Sequence, residues 1–319
     1  MKTNQIRVRV AEVETVAAEI RRLKLVPIGM SGLPDFSGGA HTILSLEDGE
    51  RTLRNPYSLM SSPYDTSSYE VSVLKAAGSR GGSAFIHEKI REGLPITISA
   101  PVNLFPVDRR ARRHILIAGG IGITPFMSIM RQLEHDDVPF ELHYGMRSQE
   151  RGAYWRQLRE TYGHRVHIYF EDQGQTIPVN TLLDGQPLGT HVYVCGPSAM
   201  IDWVLKGTRD AGWPAENVHY ERFSAPPPGK AFTIELARSG KTVPVGPHQS
   251  ILEALEAAGI DAPYLCRGGA CGQCETRIVS CAGAIQHNDH YLSDAEKAAG
   301  DKIMICVSRV DGSTVTLDL

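Results

Sequence analysis

The chain has 319 residues, 42% of them hydrophobic and 22% charged, with a net charge of −3. That length suits two or three globular domains, and the balance of charge argues against nucleic acid as a partner. Residues Met1 to Val10 lack the apolar core of an export signal, and no run approaches the ~20 apolar residues of a membrane span, so no membrane association is expected.

Residues 1–107 read as short strands over 6–13, 41–46, 69–74 and 94–99, with a turn at Glu47, Asp48 and Gly49. This pattern predicts a small antiparallel β-barrel. Asn55, Pro56, Tyr57 and Ser58 present an aromatic face and a hydroxyl at the end of a strand. Ser79, Arg80, Gly81, Gly82 and Ser83 precede a helical stretch over 84–89. A helix start of this kind can hold a phosphate, with arginine and serine beside it. Taken singly these signals are weak, because a strand aromatic is usually packing and Gly-Gly-Ser is usually a turn.

Residues 108–224 alternate strand and helix. A buried strand is expected over 114–118, and helical spacing follows in Phe126, Met127, Ile129, Met130 and Leu133. Further strands are expected over 140–144, 165–170 and 191–195, which predicts a parallel α/β sheet with helices on its faces. Gly119, Gly120, Ile121, Gly122, Ile123, Thr124 and Pro125 join the first strand to its helix, with Thr124 placed as N-cap and Pro125 in the first turn. Cys195, Gly196 and Pro197 form a second glycine turn after a strand. Two such turns at the carboxyl edge of a parallel sheet build a ligand crevice. Cys195 alone reads as a small buried hydrophobe.

Residues 225–229, Ala-Pro-Pro-Pro-Gly, read as a semi-rigid linker. Beyond it, residues 230–319 hold eight basic and eleven acidic residues, so the whole net negative charge lies in this segment. A hairpin is expected over 232–238 and 241–245, then a helix over 251–258 and a closing strand over 313–319. Cys266, Cys271 and Cys274 are spaced C-x4-C-x2-C, with 31 residues between Cys274 and Cys306. This is the ligand spacing of a plant-type [2Fe–2S] cluster. Structural zinc usually takes two C-x2-C pairs, and here there is one. With four of six cysteines so assigned, a reducing cytoplasm is expected.

A barrel with Tyr57-Ser58, then the Gly119–Pro125 turn, then Cys195-Gly196-Pro197, then a C-terminal plant-type ferredoxin resembles the phthalate dioxygenase reductase family over the full chain. The resemblance implies three domains: an antiparallel flavin barrel at 1–107, an NAD-binding parallel α/β domain at 108–224 and a β-grasp ferredoxin domain at 230–319. It implies FMN, NADH and a [2Fe–2S] cluster, with electrons passed to a Rieske-type terminal oxygenase. It assigns Tyr57 and Ser58 to the isoalloxazine ring and Gly81, Gly82 and Ser83 to the FMN phosphate. Gly119, Gly120, Gly122 and Thr124 are assigned to the NADH crevice, Cys195, Gly196 and Pro197 to the nicotinamide, and Phe223 to the covering of the flavin. The family carries an arginine where Asn55 stands, so either Arg54 reaches in or Arg80 supplies the charge.

The expected strand over 165–170 ends in Glu171 and Asp172, where a carboxylate can accept from the adenosine ribose and repel a 2′-phosphate. NADH is therefore expected over NADPH. No side chain need act as acid or base, so no catalytic residue is named. The loop over 267–270 is expected to face the partner. Two other classes remain open: an electron-transfer module without dehydrogenase activity, and a redox sensor working through Cys195 or Cys281.

Overall fold

The structure, a computed structural model, describes residues 5–49, 51–77, 80–223 and 228–319. Ser79, Ser224 and residues 225–227 of the expected linker lie outside the described residues.

The first unit contains β1 (Gln5–Ala17), β2 (Ile20–Pro27), β3 (His41–Asp48), β4 (Arg51–Ser58), β5 (Tyr69–Leu74), α1 (Gly82–Glu88) and β6 (Pro95–Ser99). They form an antiparallel sheet in the order β4-β3-β6-β1-β2-β5. The sheet curls on itself, and the Met60 N–H donates to the Glu70 carbonyl where the end of β4 meets β5. Alternation sends Leu23, Leu25, Leu44, Leu46 and Val71 into one core. Along β4 the same alternation pairs Asn55 and Tyr57 with Leu44 and Thr42, and turns Arg54 to the opposite face with Ser45.

The second unit contains β7 (Arg113–Gly119), α2 (Thr124–His135), β8 (Phe140–Met146), α3 (Trp155–Tyr162), β9 (Val166–Phe170), α4 (Val179–Leu183), β10 (Thr190–Cys195), α5 (Ser198–Asp210) and β11 (Val218–Glu221). The sheet is parallel, in the order β11-β10-β7-β8-β9. Both faces are covered. Leu116 and Leu142 pack with Phe126 and Ile129, while Ile115, Ile117, Val192 and Val194 pack with Ile201 and Val204. That is why the strands read as continuous apolar runs.

The third unit contains β12 (Phe232–Leu236), β13 (Thr242–Val245), α6 (Ile251–Ala257), β14 (Glu275–Gln286), α7 (Asp294–Ala299), β15 (Lys302–Met304) and β16 (Arg309–Leu317). Its mixed sheet runs β13-β12-β16-β14-β15. Helix α6 starts with a reciprocal capping box: Glu253 N–H donates to Ser250 Oγ at 3.1 Å, and Ser250 N–H to Glu253 Oε2 at 2.7 Å. Its apolar face, with Leu252 and Leu255, meets Ile234, Val243 and Val315.

One local expectation fails. Thr124 is not the N-cap of α2. A 3₁₀ turn over Gly120–Ile123 runs straight into the helix, so Thr124 already has helical geometry and its hydroxyl donates to the Ile121 carbonyl at 3.0 Å.

Candidate functional site

Tyr57 and Ser58 end β4, and Ser58 stands opposite His41 of β3. Ser58 is 5% exposed, and its Oγ is buried without a hydrogen-bond partner among the described residues. A buried hydroxyl without a partner is costly, and a bound polar ring would relieve it. Burial alone pushes the Tyr57 phenol up. Gly82 opens α1 directly beneath Asn55: a Cβ there would lie 2.3 Å from Asn55 Oδ1, so only glycine lets the carboxamide close onto the helix start. Ser83 is buried, and its Oγ accepts from the Ala76 N–H at 3.2 Å, leaving its proton to donate elsewhere. Arg80 precedes this turn. Asn55, Tyr57, Arg80, Gly81, Gly82 and Ser83 therefore gather where β4 meets α1. Arg54, on the other face of β4, reaches Glu256 of α6 at 3.3 Å.

The two glycine turns of the second unit touch each other. A Cβ on Gly122 would lie 2.3 Å from the Cys195 carbonyl oxygen. Gly122 thus serves loop-to-loop packing as well as any ligand. Gly119, Gly120, Thr124, Gly196 and Pro197 border the same carboxyl edge, at the ends of the neighbouring strands β7 and β10. Glu171 and Asp172 are exposed at the end of β9, two strands from β7 and so roughly 10 Å along the sheet. Phe223 is 47% exposed just after β11.

Sequence reasoning missed Glu221. It pairs in register with Cys195, and Glu221 Oε2 is closed off from solvent without a hydrogen-bond partner among the described residues. Burial pushes this carboxyl up to about 8. Cys195 is wholly buried, and burial, then the Glu221 carboxylate, push its thiol well up. The clue was present in Tyr220-Glu221-Arg222-Phe223, where only the aromatic drew notice. A thiol held protonated is a poor nucleophile, and burial also raises Cys281, which weakens the sensor alternative.

In the third unit Cys266, Cys271, Cys274 and Cys306 are all free thiols. Cys274 Sγ and Cys306 Sγ lie 3.2 Å apart, and the Gly268 N–H points at Cys266 Sγ from 3.4 Å. Cys266 is pushed down to about 5, first by the Cys271 thiol, with the Ala270, Gly268 and Cys271 N–H groups adding to it against the cost of burial. Two close sulfur pairs, with backbone donors turned toward thiolate, fit an iron–sulfur cluster. Cys281 lies in β14, its Sγ 3.5 Å from the Gly283 carbonyl, outside this set.

Within the expected docking loop, Arg267 turns inward. The Arg267 side chain is only 4% exposed and pairs with Glu256, with its guanidinium 4.1 Å over Tyr264. Arg267 holds φ at +54°, which costs about 1–2 kcal/mol for a residue bearing a side chain. The ion pair and the ring contact hold it there. Arg267 thus points inward, and the exposed part of the loop begins at Ala270.

Glu256 accepts from both Arg54 and Arg267, while Glu253 pairs with Arg80 at 3.1 Å. One face of α6 therefore carries two carboxylates onto two arginines of the first unit, three residues apart and one turn along the helix. A small cavity of about 60 Å³ beside this seam is lined by Ser45, Arg54, Ser99, Glu256, Tyr264 and Arg267, among others.

Among families, residues 234–311 match the 2Fe-2S iron-sulfur cluster binding domain, and residues 98–218 match the dimethylamine monooxygenase subunit DmmA-like N-terminal domain. The chain is 43% identical over 312 residues to the heme-dependent oxidative N-demethylase beta subunit of Ectopseudomonas mendocina, covering 98% of each. It is 43% identical over 312 residues to the carnitine monooxygenase reductase subunit of Acinetobacter baumannii, covering 97% of this chain and 96% of that one. The solved structure of phthalate dioxygenase reductase, described as modular for electron transfer from pyridine nucleotides to [2Fe–2S], superposes with a TM-score of 0.90 at 34% identity. That match covers 99% of this chain and 98% of the other.

Proposed function

We infer the chemistry of this chain from one premise: it belongs to the phthalate dioxygenase reductase-like family, the reductase components of oxygenase and demethylase systems. It is an oxidoreductase of three parts, an antiparallel flavin sheet, a parallel nucleotide sheet and a [2Fe–2S] ferredoxin unit. When bound, the flavin takes two electrons together as hydride and the cluster passes them on singly.

The residues divide the work. Cys266, Cys271, Cys274 and Cys306 hold the cluster. Tyr57 and Ser58 receive the flavin ring, and Ser58, whose buried Oγ has no hydrogen-bond partner among the described residues, is the observation that carries this assignment. The flavin is FMN, with its phosphate at Gly81, Gly82 and Ser83. Arg80, at the head of α1 though also paired with Glu253, supplies the charge missing at Asn55, a reading supported by Arg54 lying on the other face of β4 with Glu256. Gly119, Gly120, Gly122 and Thr124 border the NADH, with Cys195, Gly196 and Pro197 at the nicotinamide. Glu171 and Asp172 meet the adenosine ribose, and Phe223 covers the flavin. Glu221, carrying a proton near neutral pH, keeps negative charge away from the nicotinamide end of the crevice. Units bounded at 107/108 and 224/230 hold these sites.

The partner is an oxygenase or demethylase component, and we assign it to the Rieske type, in the cytoplasm. No helix among the described residues is long and apolar enough to cross a membrane. A second partner, a haem enzyme, is favoured by the relative named for a heme-dependent N-demethylase. Anaerobic titration with NADH should bleach flavin and then cluster absorbance. Adding purified Rieske and haem oxygenases in turn should reoxidise the cluster with the Rieske partner. Reoxidation by the haem partner alone would reverse the assignment, and loss of flavin bleaching with NADH would overturn the reductase reading.

A further inference from the structure

Outside the electron-transfer sites, one group of side chains on the second sheet has the chemistry of a metal site. We propose that Glu141, His143 and His167 form a binding site for a divalent transition ion of the zinc class, joining edge strand β9 to β8. Glu141 and His143 are two apart on β8, hence on one face, and His143 pairs in register with His167. Their ligand atoms lie within 4.8 Å of one another.

The orphaned atom is decisive. The His143 side chain is 6% exposed, and its Nε2 is buried with no hydrogen-bond partner among the described residues, 4.0 Å from Glu141 Oε1. Its Nδ1 is 2.9 Å from the Tyr169 hydroxyl. That contact holds Nδ1 and leaves Nε2 for a ligand, the outer-shell arrangement usual for metal-binding histidines, while the ring stacks on His167 with centroids 4.6 Å apart. Arg113 occupies Glu141 Oε2 at 3.2 Å, which leaves Oε1 facing the site. His167 is exposed and gives an entry path. Ligands on one tetrahedral ion sit roughly 3.3 Å apart, so binding needs the three to close up and the exposed His167 ring to turn out of its stack on His143 to aim a nitrogen at the ion. Two imidazoles and a carboxylate suit zinc, with water in the fourth position. A second group, Asp108, His191 and His219, lacks this opening: His191 and His219 already bond each other at 2.9 Å, and Arg110 grips Asp108. Strand β9 leads directly to Glu171 and Asp172, so an ion here would fix the edge that carries them.

Equilibrium dialysis of the protein as purified, with its flavin and cluster, against about 10 µM zinc should load about one ion per chain with cluster absorbance unchanged. The thermal midpoint should rise with zinc. His167→Ala, at an exposed position that does not endanger folding, should weaken binding at least tenfold. His143→Gln should do the same, and Tyr169→Phe should weaken it by roughly tenfold through loss of ring orientation. No saturable binding overturns the proposal, as does binding that His167→Ala leaves untouched. Zinc uptake that bleaches the cluster instead of raising the midpoint also counts against it.

Discussion

Two ion pairs bind the third unit to the first, and removing them should slow electron flow from flavin to cluster without touching hydride transfer. The pairs are Arg54–Glu256 at 3.3 Å and Arg80–Glu253 at 3.1 Å, with side chains 15–25% exposed. At 3.3 Å the gross attraction in a partly polar medium is about 5 kcal/mol, but desolvation of both partners offsets most of it. A net of about 1 kcal/mol per pair remains, so two pairs shift the docked-to-undocked ratio by about 30-fold. The perturbation is Arg54→Gln with Glu253→Gln. Glutamine at 253 keeps the capping box of α6 while removing its charge. Arg54→Gln leaves the buried Arg267–Glu256 pair intact, whereas Glu256→Gln would strand Arg267. Stopped-flow absorbance should show flavin reduction by NADH at the wild-type rate and cluster reduction slowed by about ten- to thirtyfold. The scattering radius of the double variant should exceed that of the wild type at low salt. Added salt should slow the wild type but leave the variant flat, and lysine in place of glutamine at 54 should recover about fivefold, the worth of one pair. An unchanged cluster rate with an unchanged radius would refute the reasoning. Equal slowing of flavin reduction would show that the change is structural.

Serine at Cys266, Cys271, Cys274 or Cys306 should abolish or destabilise the cluster while NADH still bleaches the flavin, and Cys281→Ser should do neither; iron content and visible spectra check this. Acid extraction should yield FMN, and Arg80→Ala should weaken its retention more than Arg54→Ala; stoichiometric FAD would contradict the assignment. NADH should exceed NADPH in kcat/KM, and Asp172→Ala should reduce that preference by about tenfold, the worth of one charged hydrogen bond. Glu221 gives a pH prediction with a definite sign. Its folded value, about 8, lies above the ordinary 4.5, so the folded state binds more protons between them. Its contribution to stability is complete below about 4.5 and is lost as pH rises toward 8. Denaturant midpoints measured across that window should fall more steeply in wild type than in Glu221→Gln.

The sequence made the cluster legible because ligand spacing is local: Cys266 to Cys274 is one loop, and only Cys306 had to come from afar. The parallel sheet was legible because both of its faces are buried, leaving runs such as Ile115–Ala118 with no polar break. Strand β14 was not, for the opposite reason. Its register slips at Ile278/Ser280 and Ala282/Gly283, and its outer half is largely exposed, so no alternation survives. Strand β2 hid behind Arg22 and Lys24, which lie on the sheet's other side with Glu12, while Leu23 and Leu25 fill the core and Arg21, on their face, reaches the Ile86 carbonyl of α1. Thr124 misled because a hydroxyl before a proline reads as a cap, and nothing local announces the 3₁₀ turn ahead of it.

What spacing cannot encode is which face of one unit meets which face of another. Arg54 and Arg80 were rivals for a single phosphate while only the chain near Tyr57 was in view. The alternation of β4 sends Arg54 away from Tyr57 to Glu256 at the seam, while Arg80 reaches Glu253 of the same seam from the head of α1. Glu253 and Glu256, some 200 residues further on, then explain why both positions are arginine. The same pairing turns Arg267 inward, away from any partner. A residue that looked like docking chemistry in the loop therefore ties the cluster loop to α6, whose Glu256 in turn meets Arg54 of the first unit, and the exposed part of the loop begins at Ala270.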